Sequence, residues 1–555
     1  MSFNHRIAFF SPLLFFICIQ SSCTSPETVG RLDGAIKLER LRTHLQALAD
    51  DAMEGRAPGT PGGQLAARYI AEQFKKAGLL PAVGDSSYFQ NVTLMGVTHQ
   101  PTLSFRNRNK NWELIPGEQF VGCTKLDTST VTVRNLDAVF MGYGIDAPEF
   151  QWNDYAGVEV TGKALLMLVN EPPSEDSTFF AGPALTYYGR WSYKYEEAAR
   201  KGAAAVILIH TTPLAGYGWN VVQNSRSKEQ FYVKSSPGTP LLSLESWITQ
   251  EVAEKIFQES GFDFSELLAQ AGSREFRPMM QPLRVSASIN NTIRFMESPN
   301  VIAKLAGGDP VLKEQCLIYT AHYDHLGKNE ALPEDNIYNG AFDNASGTAT
   351  LIEIAYEFAS LPLRPKRTIL FAAVTAEESG LLGSQFYAQH PLCPLAKTAA
   401  NLNLDGVNTW GKTYDIVPRG AERSTILETV KKAAAEMQVK LAPDPMPEQG
   451  LFFRSDQFSL AKVGVPAVFI TAGFNYVGKP QNWGKQIMDE YIQLRYHGVD
   501  DEYDPAWSLE GTKQIGQFAL RLGWHLANAE KMPEWNDGEA FKRVREQSLR
   551  LSAMN

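Results

Sequence analysis

The sequence predicts an α/β protein: a mostly parallel, mixed sheet covered by helices on both faces, with a β-rich unit inserted into it. Three observations carry this. Strand-like apolar runs alternate with helical runs from Asn300 to Ala529, the pattern of a sheet buried on both faces. The chain has 555 residues, too many for one core, so two or three domains are expected. Pieces rich in His, Asp and Glu each follow an apolar run, and sites in such folds lie at the carboxyl ends of the strands.

The N-terminus reads as an export signal. Arg6 supplies positive charge and Ile7 to Ile19 is apolar. That run of about 13 residues is too short to span a bilayer, which needs roughly 20. Ser21-Ser22-Cys23 resembles a bacterial lipoprotein cleavage site, although Gln20 stands where an aliphatic residue is usual. Residues 1–23 are therefore read as a leader, with Cys23 as the lipidated first residue. The expected place is the bacterial periplasm or cell envelope as a lipoprotein, with plain secretion or an uncleaved anchor as alternatives. No other segment is long and apolar enough to cross a membrane.

Residues 24–34 are a polar linker. Leu38, Leu41, Leu45 and Leu48 recur at helical spacing over Ala35–Asp50. Residues 51–63 are a loop rich in Gly and Pro, and Gln64–Ala77 is a second amphipathic helix. Phe89–Val121 alternates as two or three strands. Residues 35–129 are assigned to the first part of the main domain. Residues 130–290 read as an inserted domain: Ala138–Ile145, Lys163–Val169 and Gly202–Ile209 are strands, Tyr193–Lys201 is a helix, and no His, Asp and Glu cluster is present.

Residues 295–530 resume the main domain. Strands are expected at Asn300–Leu305, Cys316–Thr320, Thr368–Val374, Ala399–Leu404 and Val465–Thr471. Helices are expected at Gly347–Ser360, Gly383–His390, Thr425–Met437 and Thr512–Ala529, with Pro362 and Pro365 ending the first. Residues 531–555 form a polar, partly helical tail.

Composition excludes some classes. A net charge of −9 gives no general attraction to nucleic acid. Besides Cys18 and Cys23 in the leader, the cysteines Cys123, Cys316 and Cys393 are widely spaced with no C-x-x-C. This is neither a disulfide scaffold nor a thiolate zinc site, and all three are expected as buried free thiols.

The chemistry-bearing pieces are Thr320-Ala321-His322-Tyr323-Asp324-His325, Ala341-Phe342-Asp343-Asn344-Ala345-Ser346-Gly347, Thr375-Ala376-Glu377-Glu378-Ser379-Gly380, Asn403-Leu404-Asp405-Gly406 and Arg495-Tyr496-His497. Each alone has an ordinary reading as a helix cap, a solvated turn or a structural His. Together they supply His322, Asp343, Glu378, Asp405 and His497, five ligands suited to two zinc ions about 3.5–4 Å apart with one bridging carboxylate. Asp324 is placed to accept the other N–H of His322. Of the adjacent pair Glu377 and Glu378, one can hold metal while the other moves a proton. His325 is left as structural or supporting.

At these residues the sequence resembles the co-catalytic dizinc aminopeptidases, which share a clan with glutamate carboxypeptidase and glutaminyl cyclase. The pattern H-x-D, D-N-x-S-G, E-E-x-G-x-x-G-S, N-x-D and a late Tyr-His carries the resemblance. Phe140-Met141-Gly142-Tyr143-Gly144-Ile145, Gly162-Lys163 and Lys201-Gly202-Ala203 resemble a protease-associated domain, a common insertion in that family.

The resemblance implies the phosphorylase/hydrolase-like fold of zinc exopeptidases and the following roles. His322 and Asp405 hold one Zn2+, Glu378 and His497 the second, and Asp343 bridges them. Glu377 is the general base and then the general acid, and Tyr496 stabilises the oxyanion. Arg454 binds the substrate carbonyl, Asp456 is structural or amine-binding, and the peptide bond after Asp343 is cis. The long stretch Gly327–Asn339 departs from the family and is expected to line or cover the cleft.

The expected function is an aminopeptidase that hydrolyses the N-terminal peptide bond through a hydroxide shared by two zinc ions. One alternative is a glutamate-carboxypeptidase-like exopeptidase, disfavoured because Arg454 and Arg495 look isolated; a one-zinc cyclase is another. From a different class, a non-catalytic binding protein on the same fold is opposed by the complete ligand set. Peptides are the expected substrates, with membrane association only through a lipid on Cys23.

Overall fold

The computed structural model describes Leu32 and residues 36–554, except residues 227 and 237. The leader and its cleavage site lie outside the described residues. Among the described residues no helix is long and apolar enough to cross a membrane.

Helix α1 (Leu38–Leu48) and helix α2 (Pro61–Lys76) open the chain. The Thr60 side chain accepts the Gly63 N–H and Pro61 fills the first helical position, which fixes the start of α2. Strand β1 (Phe89–Arg106) follows, then β2 (Phe120–Cys123), β3 (Thr130–Phe140) and β4 (Ala164–Leu168). Helix α3 (Trp191–Arg200) leads to β5 (Ala205–His210), and β6 (Leu244–Thr249) precedes the long β7 (Met279–Leu305).

The second half runs β8 (Cys316–His322), α4 (Ser346–Ser360), β9 (Thr368–Val374), α5 (Leu382–Gln389), β10 (Thr398–Asn403), β11 (Asp415–Arg419), α6 (Ile426–Met437) and β12 (Ala467–Ala472). It ends with α7 (Trp483–Leu494), α8 (Glu510–Asn528) and α9 (Lys542–Met554).

One mixed sheet contains the order β11-β12-β10-β8-β9-β7-β3-β4-β5-β6-β2. Strands β12, β10, β8 and β9 are mutually parallel, so their carboxyl ends share one edge. The last three are almost wholly buried, which accounts for their unbroken apolar runs. A large core lies between this sheet and α1, α2, α4, α6 and α8, while Tyr387 of α5, Leu460 and Val465 pack on the other face.

Two expectations are corrected. Asn300–Leu305 is not a strand of its own but the end of β7, which is 27 residues long and begins inside the inserted region at Met279. Its first part pairs with β3, its last part with β9, and β1 runs antiparallel along it from Phe89↔Val301 to Arg106↔Arg284. The chain therefore passes from one core to the other without a break. As a result Leu103, Phe105, Trp112 and Phe120, expected with the main domain, sit in the second core beside Phe140, Leu166 and Ile207.

The second correction concerns the thiols. Cys316 and Cys393 form a disulfide across 77 residues, and among the described residues only Cys123 is free, and it is buried. The first residue of β8 and the turn after α5 meet on one face of the sheet, a proximity that sequence distance hides.

Candidate active site

Three of the four parallel strands deliver predicted residues to one edge. His322 ends β8, Asp343 lies in the turn before α4, Glu377 and Glu378 follow β9, and Asp405 follows β10. His497 enters from the turn after α7, a helix the sequence reading did not find.

The five expected ligands converge. His322 Nε2 lies 3.2 Å from Asp343 Oδ1 and 3.2 Å from Asp405 Oδ1. His497 Nε2 lies 3.5 Å from Asp343 Oδ2 and 3.1 Å from Glu378 Oε2. The two oxygens of Asp343 thus face two different imidazoles, each accompanied by its own second carboxylate. Ligand atoms of His322, Asp343 and Glu378, and of His322, Glu377 and Asp405, fall into two groups, within each of which they lie no more than 4.8 Å apart. The peptide bond Asp343–Asn344 is cis.

Electrostatics follow from the crowding of carboxylates. Burial works against a charged His322, but Asp405, Glu377 and Asp343 hold its pKa well above the usual imidazole range. Burial alone would raise Asp343, yet hydrogen bonds to His322 and His497 hold it well below the carboxylate range. Glu378 is likewise held down at about 2 by His325 and His497. Glu377 goes the other way: burial, reinforced by Glu378, Asp405 and Asp456, raises it well above its ordinary value. The adjacent glutamates are thereby separated. Glu378 is tied to His497 and to His325 Nδ1 at 2.7 Å, whereas among the described residues nothing hydrogen-bonds the Glu377 carboxylate.

Asp324 acts differently from its expected role. The imidazole Nδ1–H of His322 donates to the Asp324 backbone carbonyl at 3.2 Å. The Asp324 carboxylate, 3.9 Å from that nitrogen, accepts the backbone N–H groups of Glu377 at 3.1 Å and Glu378 at 3.4 Å. It fixes the glutamate turn rather than the imidazole tautomer, which the carbonyl sets instead.

The remaining predicted residues lie around this cluster. Tyr496 is half-exposed and stacks on His497 with ring centroids 3.9 Å apart. Arg454 is exposed, one residue before Ser455, whose hydroxyl donates to Asp405 Oδ2 at 2.6 Å. Asp456 is fully buried, among the described residues neither of its oxygens has a hydrogen-bond partner, and burial pushes it up to about 7. The short hairpin formed by Gly327–Lys328 and Ile337–Tyr338 lies over the 51–56 turn, with Lys328 paired to Glu54 at 2.9 Å.

Several residues escaped the sequence reading. Ser455 receives an Asn403 Nδ2–H at 2.8 Å, and Thr320 donates to Asn403 Oδ1 at 2.6 Å, so strand residues hold the Asp405 partner in place. Asp501 accepts the backbone N–H groups of Phe342 and Asp343, each at 3.0 Å. Arg56 is completely buried and donates to the carbonyls of Leu48, Tyr323, Asn339 and Gly340, placing a cation beneath the acidic cluster. Burial lowers Arg56 to about 10 against the pull of Asp324 and Asp501.

Comparison with known proteins bears on the same segment. Residues 300–522 match the model of Peptidase family M28. Aminopeptidase YwaD of Bacillus subtilis is 28% identical over 228 residues, which are 40% of this chain and 44% of that protein. Leupeptin-inactivating enzyme 1 of Streptomyces exfoliatus is 29% identical over 189 residues, 33% of this chain and 39% of that one. The matches thus span under half the length of these two relatives. Among solved structures, an aminopeptidase from Aneurinibacillus sp. superposes with a TM-score of 0.45 at 18% identity, over 90% of this chain and 95% of that one.

Proposed function

We propose, from the match of residues 300–522 to the model of Peptidase family M28, that the chain is a zinc-dependent exopeptidase, specifically an aminopeptidase acting on peptides. The observation that carries this is Asp343, whose two carboxylate oxygens point at separate His–carboxylate pairs. The donor set is imidazole and carboxylate with no thiolate, which suits zinc in a catalytic site. His322 and Asp405 would hold one ion, Glu378 and His497 a second, and Asp343 both. Bound there, the ions would polarise the scissile carbonyl and lower the pKa of an attacking water.

The chain's own groups supply the proton steps. Glu377, unpaired and with a raised pKa, takes the proton from the attacking water and returns it to the departing amine. Asp324 holds the turn that aims it. Tyr496, beside His497, offers its hydroxyl to the developing oxyanion. Residues 130–290 are taken as a protease-associated insertion and residues 531–555 as a tail. The Cys316–Cys393 disulfide supports an exported protein, since such bonds persist in oxidising compartments.

The test is metal analysis together with a panel of aminoacyl amides and N-blocked peptides, with and without chelator. Near two zinc ions per chain and chelator-sensitive cleavage of the unblocked amides are expected. Cleavage of blocked peptides from the carboxyl end, with amides untouched, would transfer the assignment to the carboxypeptidase alternative.

A further inference from the structure

Residues 38–63 lie outside the family match, which spans 300–522, yet one side chain from them reaches the backbone beside the expected ligands. Arg56 is fully buried, and among the described residues its hydrogen bonds all go to carbonyls. Its Nε–H donates to Tyr323 at 2.7 Å, Nη1 to Leu48 and Asn339, each at 2.5 Å, and Nη2 to Gly340 at 2.9 Å. Four of the five guanidinium N–H groups are thereby shared among three separate stretches of chain. Tyr323 stands between His322 and Asp324, and Gly340 opens the turn that carries Asp343. The guanidinium therefore ties the end of β8 to the entry of that turn. These are the two stretches whose ligand atoms, His322 Nε2 and Asp343 Oδ1, approach to 3.2 Å.

The segment that carries Arg56 is itself held firmly. Asn339 Nδ2 donates to the Ala49 carbonyl and to Asp51, each at 2.8 Å. A Cβ on Gly55 would collide with the carbonyls of Gly327 and Tyr338, so the loop lies directly against the hairpin that leads into Gly340. Glu54 and Arg56 have φ values of 50° and 52°, left-handed backbone that persists only where the surroundings impose it. Behind the loop, Leu41, Leu45 and Leu48 of α1 share a core with Leu351 and Ile354 of α4, and Arg40 Nε pairs with Glu353 at 2.7 Å. Burying a guanidinium is costly, and its fork of donors offsets that cost only when the acceptors stand in fixed positions. Lysine, with a single nitrogen, cannot span acceptors on three stretches.

We infer that Arg56 is a positioning residue of the metal site: it sets the separation of the His322 and Asp343 backbones, which makes the N-terminal segment part of the catalytic centre. This rests on the peptidase reading. Arg56 acts through the carbonyls of Tyr323 and Gly340 and touches neither substrate nor metal. The coupling runs both ways, because a segment that holds the ligands in place is itself held more tightly when they close on zinc.

One arm of the experiment uses the unaltered full chain. Hydrogen exchange is followed with zinc bound and with chelator present, and the amides of residues 49–63 should exchange severalfold more slowly in zinc, together with those around Asp343. The other arm titrates zinc against a chelating competitor in Arg56→Met and Arg56→Lys, at temperatures below their unfolding. Arg56→Met should bind zinc roughly 10–100-fold less tightly, the usual cost of losing an outer support of a ligand, and Arg56→Lys should recover only part of that. With zinc in excess, the remaining loss on an aminoacyl amide should lie in kcat and leave KM unchanged. Glu54→Gln breaks the exposed pair with Lys328 on the same loop, and zinc affinity should stay within about twofold there, as a surface pair is worth little. A purely structural Arg56 would lower the Tm and leave the zinc constant alone. Zinc affinity of Arg56→Met within about threefold of the unaltered chain, or exchange of residues 49–63 that zinc does not change, overturns the inference and leaves the peptidase reading standing. If the variants do not fold, the exchange arm decides alone. An unaltered chain that takes up no zinc and cleaves no unblocked peptide removes the peptidase reading, and the inference with it.

Discussion

The Asp501 carboxylate accepts the backbone N–H of Asp343 at 3.0 Å, so a residue four positions past His497 fixes the turn that carries the expected bridging ligand. Asp501 also takes the Phe342 N–H at 3.0 Å, and its own carbonyl accepts the Ala341 N–H at 2.8 Å. Asp501→Asn keeps one acceptor but turns an NH2 toward the second N–H. Zinc affinity should fall about 10–100-fold, the usual cost of losing an outer support. Activity should return in excess zinc, as read by metal titration alongside kinetics.

Glu377→Gln should keep both metals and lose activity by about 10²–10⁴-fold, the worth of a positioned proton carrier. Metal content by elemental analysis and kcat/KM on an aminoacyl amide decide it. Loss of metal instead would exchange the roles of Glu377 and Glu378.

The pH response of the chelated protein has a definite sign. Burial opposes a charged His497, but Asp343 and Glu378 raise its pKa from 6.5 to about 10. A raised folded pKa stabilises fully below the unfolded value and is lost as pH rises through the folded one. The Tm of the chelated protein should therefore fall between about pH 6.5 and 10, and His497→Gln should flatten that decline. Zinc affinity should rise over the same range, because cations displace those protons.

Removal of the Cys316–Cys393 disulfide by Cys316→Ala with Cys393→Ala should cost about 2–4 kcal/mol of stability. The bond sits at the start of β8, while His322 ends that strand. KM on an aminoacyl amide should stay within twofold, and denaturant melts measure the stability loss.

The expected ligands were legible because metal chemistry tolerates few side chains and each stood beside an apolar run. Their supports were not. Asp501 lies within Asp500-Asp501-Glu502, which reads as a solvated acidic run, yet it is 1% exposed. Arg56 sat in a Gly- and Pro-rich loop, where burial leaves no mark in composition. Asp324 was expected to reach the imidazole, but the direction of its side chain depends on the turn geometry after β8. The continuity of β7 was hidden by Asn290-Asn291 and Glu297-Ser298-Pro299, residues that look like a linker but lie in a paired ladder, with Ser298 buried and Asn290 and Glu297 exposed.

That ladder has a mechanical consequence. A strand woven into both cores, with β1 bonded along most of its length, leaves no hinge about which the inserted region could swing. Opening one body from the other would require stripping consecutive backbone hydrogen bonds. The inserted region is therefore held as part of a stiff frame, and whatever wall it lends the cleft is preset rather than a jaw that shuts.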